Sequence, residues 1–472
     1  LAEAINVIGG GLAGVETAHY IARRGLKVRL YEMRPHKMTP AHQSGSLAEL
    51  VCSNSLKSMD LEDASGLLKE EMRRMGSLVM EAAERHTVPA GKALAVDRTL
   101  FAQYITEALR QDRHIEMIRQ EVINIPAAGL SIIATGPLTS EALSASLAKL
   151  LESIPLPQPE TPPLLPHPVS EEEEPKVGAQ KQPATLFFYD AIAPTVAAES
   201  VDLSHAFWGS RYDRGGDDYL NCPLTEEEYE KFRQELVDAS QRPLHPFEFK
   251  DPKFFEACLP LEEIALRGKD ALRFGPFRPV GLRDRKSDKR SYAVLQLRRE
   301  DKEGTMLNLV GCQTRLLWAE QKRIFGLVPA LRDAEFLRFG SIHRNTYINA
   351  PLYLEKSLQL RQYPHILIAG QLTGVEGYLE SAVLGIWAGM AAVDLMKGKE
   401  IVPPPPTTAL GALLEYLKTA NPRDFQPMNI NWGLFPPLKV KIKDRRARNR
   451  QLSQRALEEM EEWLKKAESS RQ

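Results

Sequence analysis

The sequence predicts an α/β protein: a doubly wound nucleotide-binding domain interrupted by an inserted α+β domain. Three observations carry that expectation. The chain opens on a strand, a glycine turn, a helix, a second strand and an acid. Another strand–glycine turn–helix comes near residue 370. Between the two lies a mixed region rich in Arg, Pro and aromatic residues.

Ile5–Ile8 is a short apolar run that reads as a buried strand. It enters Gly9-Gly10-Gly11-Leu12-Ala13-Gly14, a G-x-G-x-x-G turn, with helical character over Val15–Arg24. A β-rich run, Lys27–Tyr31, then ends at Glu32, 18 residues after Gly14. This is the Rossmann-like order that a dinucleotide site requires. Gly9 permits the tight turn, Gly11 lets the backbone approach a pyrophosphate, and Gly14 lets the helix pack on the strand. The helix N-terminus offers free N–H groups and partial positive charge to the phosphates. Glu32 is placed to accept hydrogen bonds from a ribose.

The same domain continues through Ala93–Asp97 (a strand), Arg98–Arg110 (a helix), His114–Ile125 (one or two strands) and Ser131–Gly136 (a strand), closing the first part at 1–152. Residues 153–183 break the pattern. Eight prolines fall between Pro155 and Pro175 and Glu171–Glu174 is a four-acid run, so this stretch reads as a mobile insert that cannot bury a core. The inserted domain follows at 184–340. The second part of the nucleotide domain, 341–398, holds the strand His365–Ala369, the turn Gly370–Gly377 with Gly370, Gln371 and Gly374, and a helix over Leu379–Met396. That helix carries a small-residue face of Ala382, Gly385, Ala388, Gly389 and Ala392. Two glycine-rich helix starts suit an elongated cofactor, one for the pyrophosphate and one for the far end. This favours FAD over a nicotinamide nucleotide as the resident group.

The remainder, 399–472, begins with Pro403–Pro406, a stiff spacer, and a helix over Leu410–Lys418. Lys439–Arg450 carries seven Lys or Arg against one Asp444, net +6, ahead of a final polar amphipathic helix. Such a run is commonly a solvated face, but its spacing suits RNA phosphates through Lys441, Lys443, Arg445 and Arg446.

Net charge is −1, so nucleic-acid binding must come from such local patches. Of Cys52, Cys222, Cys258 and Cys312, none forms a C-x-x-C pair, so neither a zinc knuckle nor a local dithiol centre is expected, and no metal. Four cysteines in 472 residues suit a reducing cytoplasm. No signal segment is evident, and no run is expected to reach the ~18 apolar residues of a membrane span. Cys52, in LAELVCSNSLK, reads on its own as an inert core thiol near the mouth of the cofactor fold. Cys222 precedes a helix start, with Thr225 as the cap and Glu226–Glu228 in the first turn, where a thiolate can be stabilised. Cys258 and Cys312 read as structural, and so on its own does His343.

Ten segments in order make the chain resemble the folate- and FAD-dependent tRNA (uracil-5-)-methyltransferases, the TrmFO family. They are GGGLAG with YEMRP; TPAHQSGSLAELVCSNSLKS; RYDRGGDDYLNCPLTEEEY; CLPLEEIALRG; LRFGPFRPVGL; YAVLQLR; LVGCQTRL with EQKRIF; HRNTYINAP; AGQLTGVEGYLESA; and FQPMNINWGLFPPL. The resemblance implies an FAD-binding domain of the glutathione-reductase-like kind. It also implies methylation of carbon 5 of the T-loop uridine, position 54 of tRNA. Methylenetetrahydrofolate would donate the carbon, reduced FAD would carry and reduce it, and NADH or NADPH would recharge the flavin. It makes Cys222 the expected nucleophile toward carbon 6 and Cys52 the second catalytic thiol, with the division of roles left open. His343 is the expected stacking partner of the folate pterin. FAD contacts fall on Gly9, Gly11, Gly14, Glu32, Arg34, Gly370, Gln371 and Gly374. Cys312 stands where the family more often has an aromatic. A flavin disulfide reductase would need the dithiol pair this sequence lacks. A wobble-uridine modifier would carry different cysteine segments, and a non-enzymatic RNA-binding flavoprotein would not need both thiols.

Overall fold

The computed structural model describes residues 4–155, 185–213, 216–242, 259–283 and 291–471. The proline-rich stretch from 156 to 184 and Cys258 lie outside the described residues.

A six-stranded sheet forms the base, in the order 359–360, 363–368, 131–133, 5–8, 28–31, 115–118. All pairings are parallel except that of 359–360 with 363–368. Strands buried on both faces must be apolar throughout, which is why Ile5–Ile8 and Ser131–Ile133 carry so few polar side chains. Tyr363–Ile368 pairs with Ser131–Ile133, so the two ends of the chain complete one sheet around the inserted region. This agrees with the α/β fold with an inserted α+β domain that the sequence predicts.

The helices Leu12–Ala22 and Tyr378–Met396 pack on each other at the heart of this domain. Contact is backbone-close: a Cβ added at Gly385 would lie 2.1 Å from Ala13 O. Thr17 Oγ1 donates to Gly385 O at 2.8 Å, tying the helices together. The small-residue face of the second helix therefore serves packing. Tyr378–Met396 also corrects one expectation, because its 19 residues are long and apolar enough to cross a membrane by length and composition. Here it is a buried core helix.

The inserted region forms a second, antiparallel six-stranded sheet, ordered 207–208, 219–224, 293–299, 306–309, 195–197, 336–338. Its core packs Leu220, Leu295, Phe277 and Phe325 with Phe232 of the helix Glu226–Asp238. Thr225 caps that helix in a full capping box with Glu228, as its sequence predicts. A two-stranded ribbon, Thr185–Ile192 against Ser341–Ile348, flanks the inserted region at both ends in sequence.

Local details differ from expectation at two places. The first helix begins at Leu12, directly after Gly11, not at Val15. Of His114–Ile125, only Ile115–Ile118 pairs into the sheet.

Two buried carboxylates hold helix ends. Glu16 accepts from Ser77 Oγ, Leu78 N and Val79 N at the start of Leu78–Arg85, and Glu71 accepts from Ala409 N and Leu410 N at the start of Ala409–Thr419. Burial pushes each of them up to about 7.

Candidate active site

The glycines of the first turn divide their work. Gly9 has φ +109°, and a Cβ there would lie 2.5 Å from Ala134 O. A Cβ on Gly14 would lie 1.8 Å from Gly9 O, so only glycine lets helix and strand meet. A Cβ on Gly11 would meet nothing within 4 Å. Gly11 thus exposes bare backbone to open space at the positive end of the helix, a cradle that fits a pyrophosphate.

Glu32 lies beside this cradle, but its oxygens are already engaged. Oε2 accepts from Gly10 N at 3.0 Å and Arg34 Nη2 at 3.1 Å, while Oε1 accepts from Arg34 N and Nε at 3.0 Å each. Burial favours the neutral acid, yet the Arg34 hydrogen bonds and charge outweigh it and hold the carboxyl below its usual range. A ribose at Glu32 would share lone pairs with these donors. Arg34 is only 2% exposed and also pairs with Glu49 at 3.3 Å. It links the nucleotide end of the site to the loop that runs on to Cys52.

The second turn closes against the first helix. Gly370, Gly374 and Gly377 have φ of +73°, +95° and +115°, conformations that L side chains rarely adopt. A Cβ at Gly370 would lie 2.7 Å from Ala13 Cβ, so the second turn packs directly on the first helix. Gln371 donates from Nε2 to the Glu376 carboxylate and braces the turn.

Cys52 is held beside the second glycine turn by contacts far apart in sequence. Its N–H donates to Tyr378 Oη at 2.7 Å, and Ser53 N donates to the same oxygen at 3.2 Å. Tyr378 is the first residue of the second helix. Arg98 donates to the carbonyls of Leu50 (2.9 Å), Val51 (3.5 Å) and Cys52 (3.4 Å), and Arg338 to that of Val51 (3.4 Å). Arg298, reaching from the antiparallel sheet, bonds Ser53 Oγ and Asn54 Oδ1 at 2.9 Å each. The thiol is half-buried and is not in a disulfide. A partly exposed cysteine held beside guanidinium groups is the usual setting of cysteine chemistry. Lys57, further along, donates to Glu380 and to Asn429 at 2.9 Å each, joining this loop to the second helix and the tail segment.

Cys222 is placed differently. Cys222 pairs with Leu295 and Tyr219 with Arg298, so strand alternation puts Cys222 and Arg298 on opposite faces of the sheet. Arg298 faces the Cys52 loop, whereas Cys222 is fully buried among Leu220, Leu224 and Leu295. Burial pushes its thiol up to about 12. The structure does not bring the two thiols together, and burial favours the neutral thiol at Cys222. Cys312 is buried in the same core, as its structural reading expects.

His343 lies in the strand Ser341–Ile348 opposite Asp190, and its side chain falls outside the described residues. Lys441, Lys443, Arg445 and Arg446 are all exposed. Arg446 spends part of its charge on Glu62, at 3.8 Å. The helix Arg445–Arg471 is docked on the nucleotide domain, with Asn449 Nδ2 donating to Glu62 O at 3.0 Å and Arg74 Nη1 to Leu457 O at 3.0 Å. Among the described residues, no cluster of three or more His, Cys, Asp and Glu side chains could hold a metal.

Sequence reasoning did not find Tyr378, Arg98, Arg298 or Arg338. Arg98 had a local signal, since Asp97 caps its helix by accepting from Leu100 N at 2.9 Å. Arg298 and Arg338 had none.

A parallel sheet, two glycine turns and a bare-backbone cradle define an FAD-binding flavoprotein fold of Rossmann type, here with a cysteine loop at the second turn. The family described as Glucose inhibited division protein A matches residues 4–400. The crystal structure of Aquifex aeolicus GidA (form II) superposes with TM-score 0.65 at 15% identity, covering 98% of this chain and 75% of that one. The methylenetetrahydrofolate–tRNA-(uracil-5-)-methyltransferase TrmFO of Moorella thermoacetica is 53% identical over 458 residues, 97% of this chain and 98% of the relative. That of Geobacter sulfurreducens is 51% identical over 464 residues, 98% and 99% of the two chains. The chain belongs to the TrmFO family.

Proposed function

We propose that this protein is a cytoplasmic enzyme that methylates carbon 5 of the T-loop uridine, position 54, of tRNA. The observation that carries this reading is the fastening of the Cys52 loop to the second glycine turn through Tyr378, in a chain 53% identical to a methyltransferase of that name. Methylenetetrahydrofolate is the one-carbon donor. FAD would be held by Gly9, Gly11, Gly14 and the Leu12–Ala22 helix end, and by Gly370, Gln371 and Gly374. When bound, and reduced by NADH or NADPH, it supplies the carrier and the two electrons that take a methylene to a methyl.

Carbon 5 of uracil is a poor nucleophile. A thiolate that adds to carbon 6 turns the ring into an enolate, and carbon 5 can then attack the one-carbon unit. A base removes the carbon 5 proton, and the thiol is expelled from carbon 6 as the ring double bond returns. Cys52 is the thiol fastened beside the second glycine turn, and we assign it the bond to carbon 6. For Cys222 to reach the same ring, its strand would have to rearrange. His343 is retained as the stacking partner of the pterin. Lys441, Lys443 and Arg445 contact phosphates, with Arg446 contributing less because of Glu62.

The test is methyl transfer to T-loop RNA with methylenetetrahydrofolate or NAD(P)H omitted in turn, alongside trapping on RNA containing 5-fluorouridine. Methylation that needs both small molecules, and a covalent adduct lost in Cys52→Ala, is expected. Methylation without folate would sink the reading. An adduct that persists in Cys52→Ala but not Cys222→Ala would move the bond to Cys222.

A further inference from the structure

A cavity of about 270 Å³ lies apart from the glycine turns, between the loop leading to Cys52, the Arg98–Gln111 helix and the edge of the antiparallel sheet. Its lining includes Glu49, Arg98, Thr195, Glu300 and Arg338. Thr195 and Arg338 are paired on adjacent strands across a β-bulge, and both line the cavity. Thr195 is only 4% exposed, and its Oγ1 has no hydrogen-bond partner. Arg338 donates from Nη1 to Val51 O, while its Nε and Nη2 are buried without an acceptor.

Those two nitrogens form one edge of the guanidinium, the edge that receives an oxyanion through two parallel hydrogen bonds. Neighbouring carboxylates do not fill it. Glu300 is engaged by Arg98 through both of its oxygens. Glu49 is occupied by Arg34, Gln43 N, Ser44 N and Ser44 Oγ. Glu300 attracts Arg338 only at a distance, its oxygens being taken by Arg98, and burial, with the charge of Arg98 behind it, pushes Arg338 down to about 10 against that attraction. The cavity has apolar walls as well, from Leu50, Met306 and Leu337. Mixed walls around one polar fork suit the end of a small molecule.

We propose that this cavity is an oxyanion subsite, in which the Nε/Nη2 edge of Arg338 and the Thr195 hydroxyl receive a carboxylate or phosphate of a small co-substrate. The choice of co-substrate rests on the methyltransferase reading: a folate ends in glutamate carboxylates, and NADPH carries a phosphate that NADH lacks. The subsite itself does not depend on that reading.

The test uses the FAD-loaded protein and calorimetric titration with two pairs of probes. One is p-aminobenzoylglutamate against p-aminobenzoate, the other NADPH against NADH. In the wild type, one anionic member should bind about tenfold or more tighter than its partner, and that pair names the source. Arg338→Gln should erase the preference. Thr195→Val, which keeps shape and charge, should weaken it a few-fold and guards against misfolding as the explanation. Inorganic phosphate should raise the melting temperature of the wild type but not of Arg338→Gln. Equal binding within both pairs, or a preference that survives in both variants, overturns the proposal. Loss of methyl transfer with the anion preference intact would sink the function and leave the subsite standing.

Discussion

Alkylation distinguishes the two catalytic candidates without any substrate. Cys222 is wholly buried, and its thiol is pushed up to about 12. At pH 8 an ordinary thiol, with a pKa of about 8.5, is roughly one quarter thiolate. A thiol at about 12 has roughly one ten-thousandth in that form. Because the thiolate is the attacking species, iodoacetamide should label Cys222 at least ~10³-fold more slowly in the native protein than in urea. Exclusion of the reagent from the core adds to that factor. Cys52, half-buried and outside any disulfide, should label in the native state. Peptide mass spectrometry with light reagent before unfolding and heavy reagent after it reads both rates in one sample. Native labelling of Cys222 within tenfold of Cys52 would refute the placement. Repeating the reaction with tRNA asks whether substrate turns the strand: a rise at Cys222 would restore it as a candidate nucleophile, and protection of Cys52 alone would support the assignment made above.

Three further outcomes follow from the geometry. Gly11→Ala should fold but lose FAD, because its Cβ would enter open cradle space, whereas Gly14→Ala should fail to fold stably with a Cβ 1.8 Å from Gly9 O; FAD absorbance and melting temperature separate the two. Tyr378→Phe leaves the N–H groups of Cys52 and Ser53 unpaired, at a cost of about 1–3 kcal/mol if they stay buried, and should lower kcat with FAD content unchanged. Glu16 and Glu71 bind protons more tightly folded, near 7, than unfolded, near 4.5. Their contribution is therefore complete below about pH 4.5 and lost as pH rises through 7, up to about 3 kcal/mol each. Urea midpoints from pH 5 to 8 should fall more steeply in the wild type than in Glu16→Gln, and equal slopes would discard the effect.

The cofactor cradle was legible because its requirements are local. Gly9, Gly11 and Gly14 lie within one turn, and each glycine answers a steric demand made by its immediate neighbours or by open space. The paired cradle near Gly370 was legible for the same reason. The setting of Cys52 was not, since it depends on Tyr378, 326 residues away, and on arginines from three separate elements. Arginine on a strand or helix end gives no sign of which carbonyl it will hold.

Cys222 shows how a correct local reading can still misplace a side chain. Thr225 does cap the next helix, as its sequence says. The thiol, however, lies on the strand before that cap, and on a strand the direction of a side chain is set by parity. Arg298 points to the Cys52 loop, so its register partner Tyr219 shares that face, and with it Asn221. Cys222 then falls on the opposite face with Leu220 and Leu224, inside the core. A one-residue shift of this strand against its neighbour would turn the thiol toward Ser53 and put Tyr219 and Asn221 into the core. The capping sequence could not decide between those registers. The long-range clamp of Arg298 on Ser53 and Asn54 does, and the same clamp holds the Cys52 loop against the face opposite Cys222.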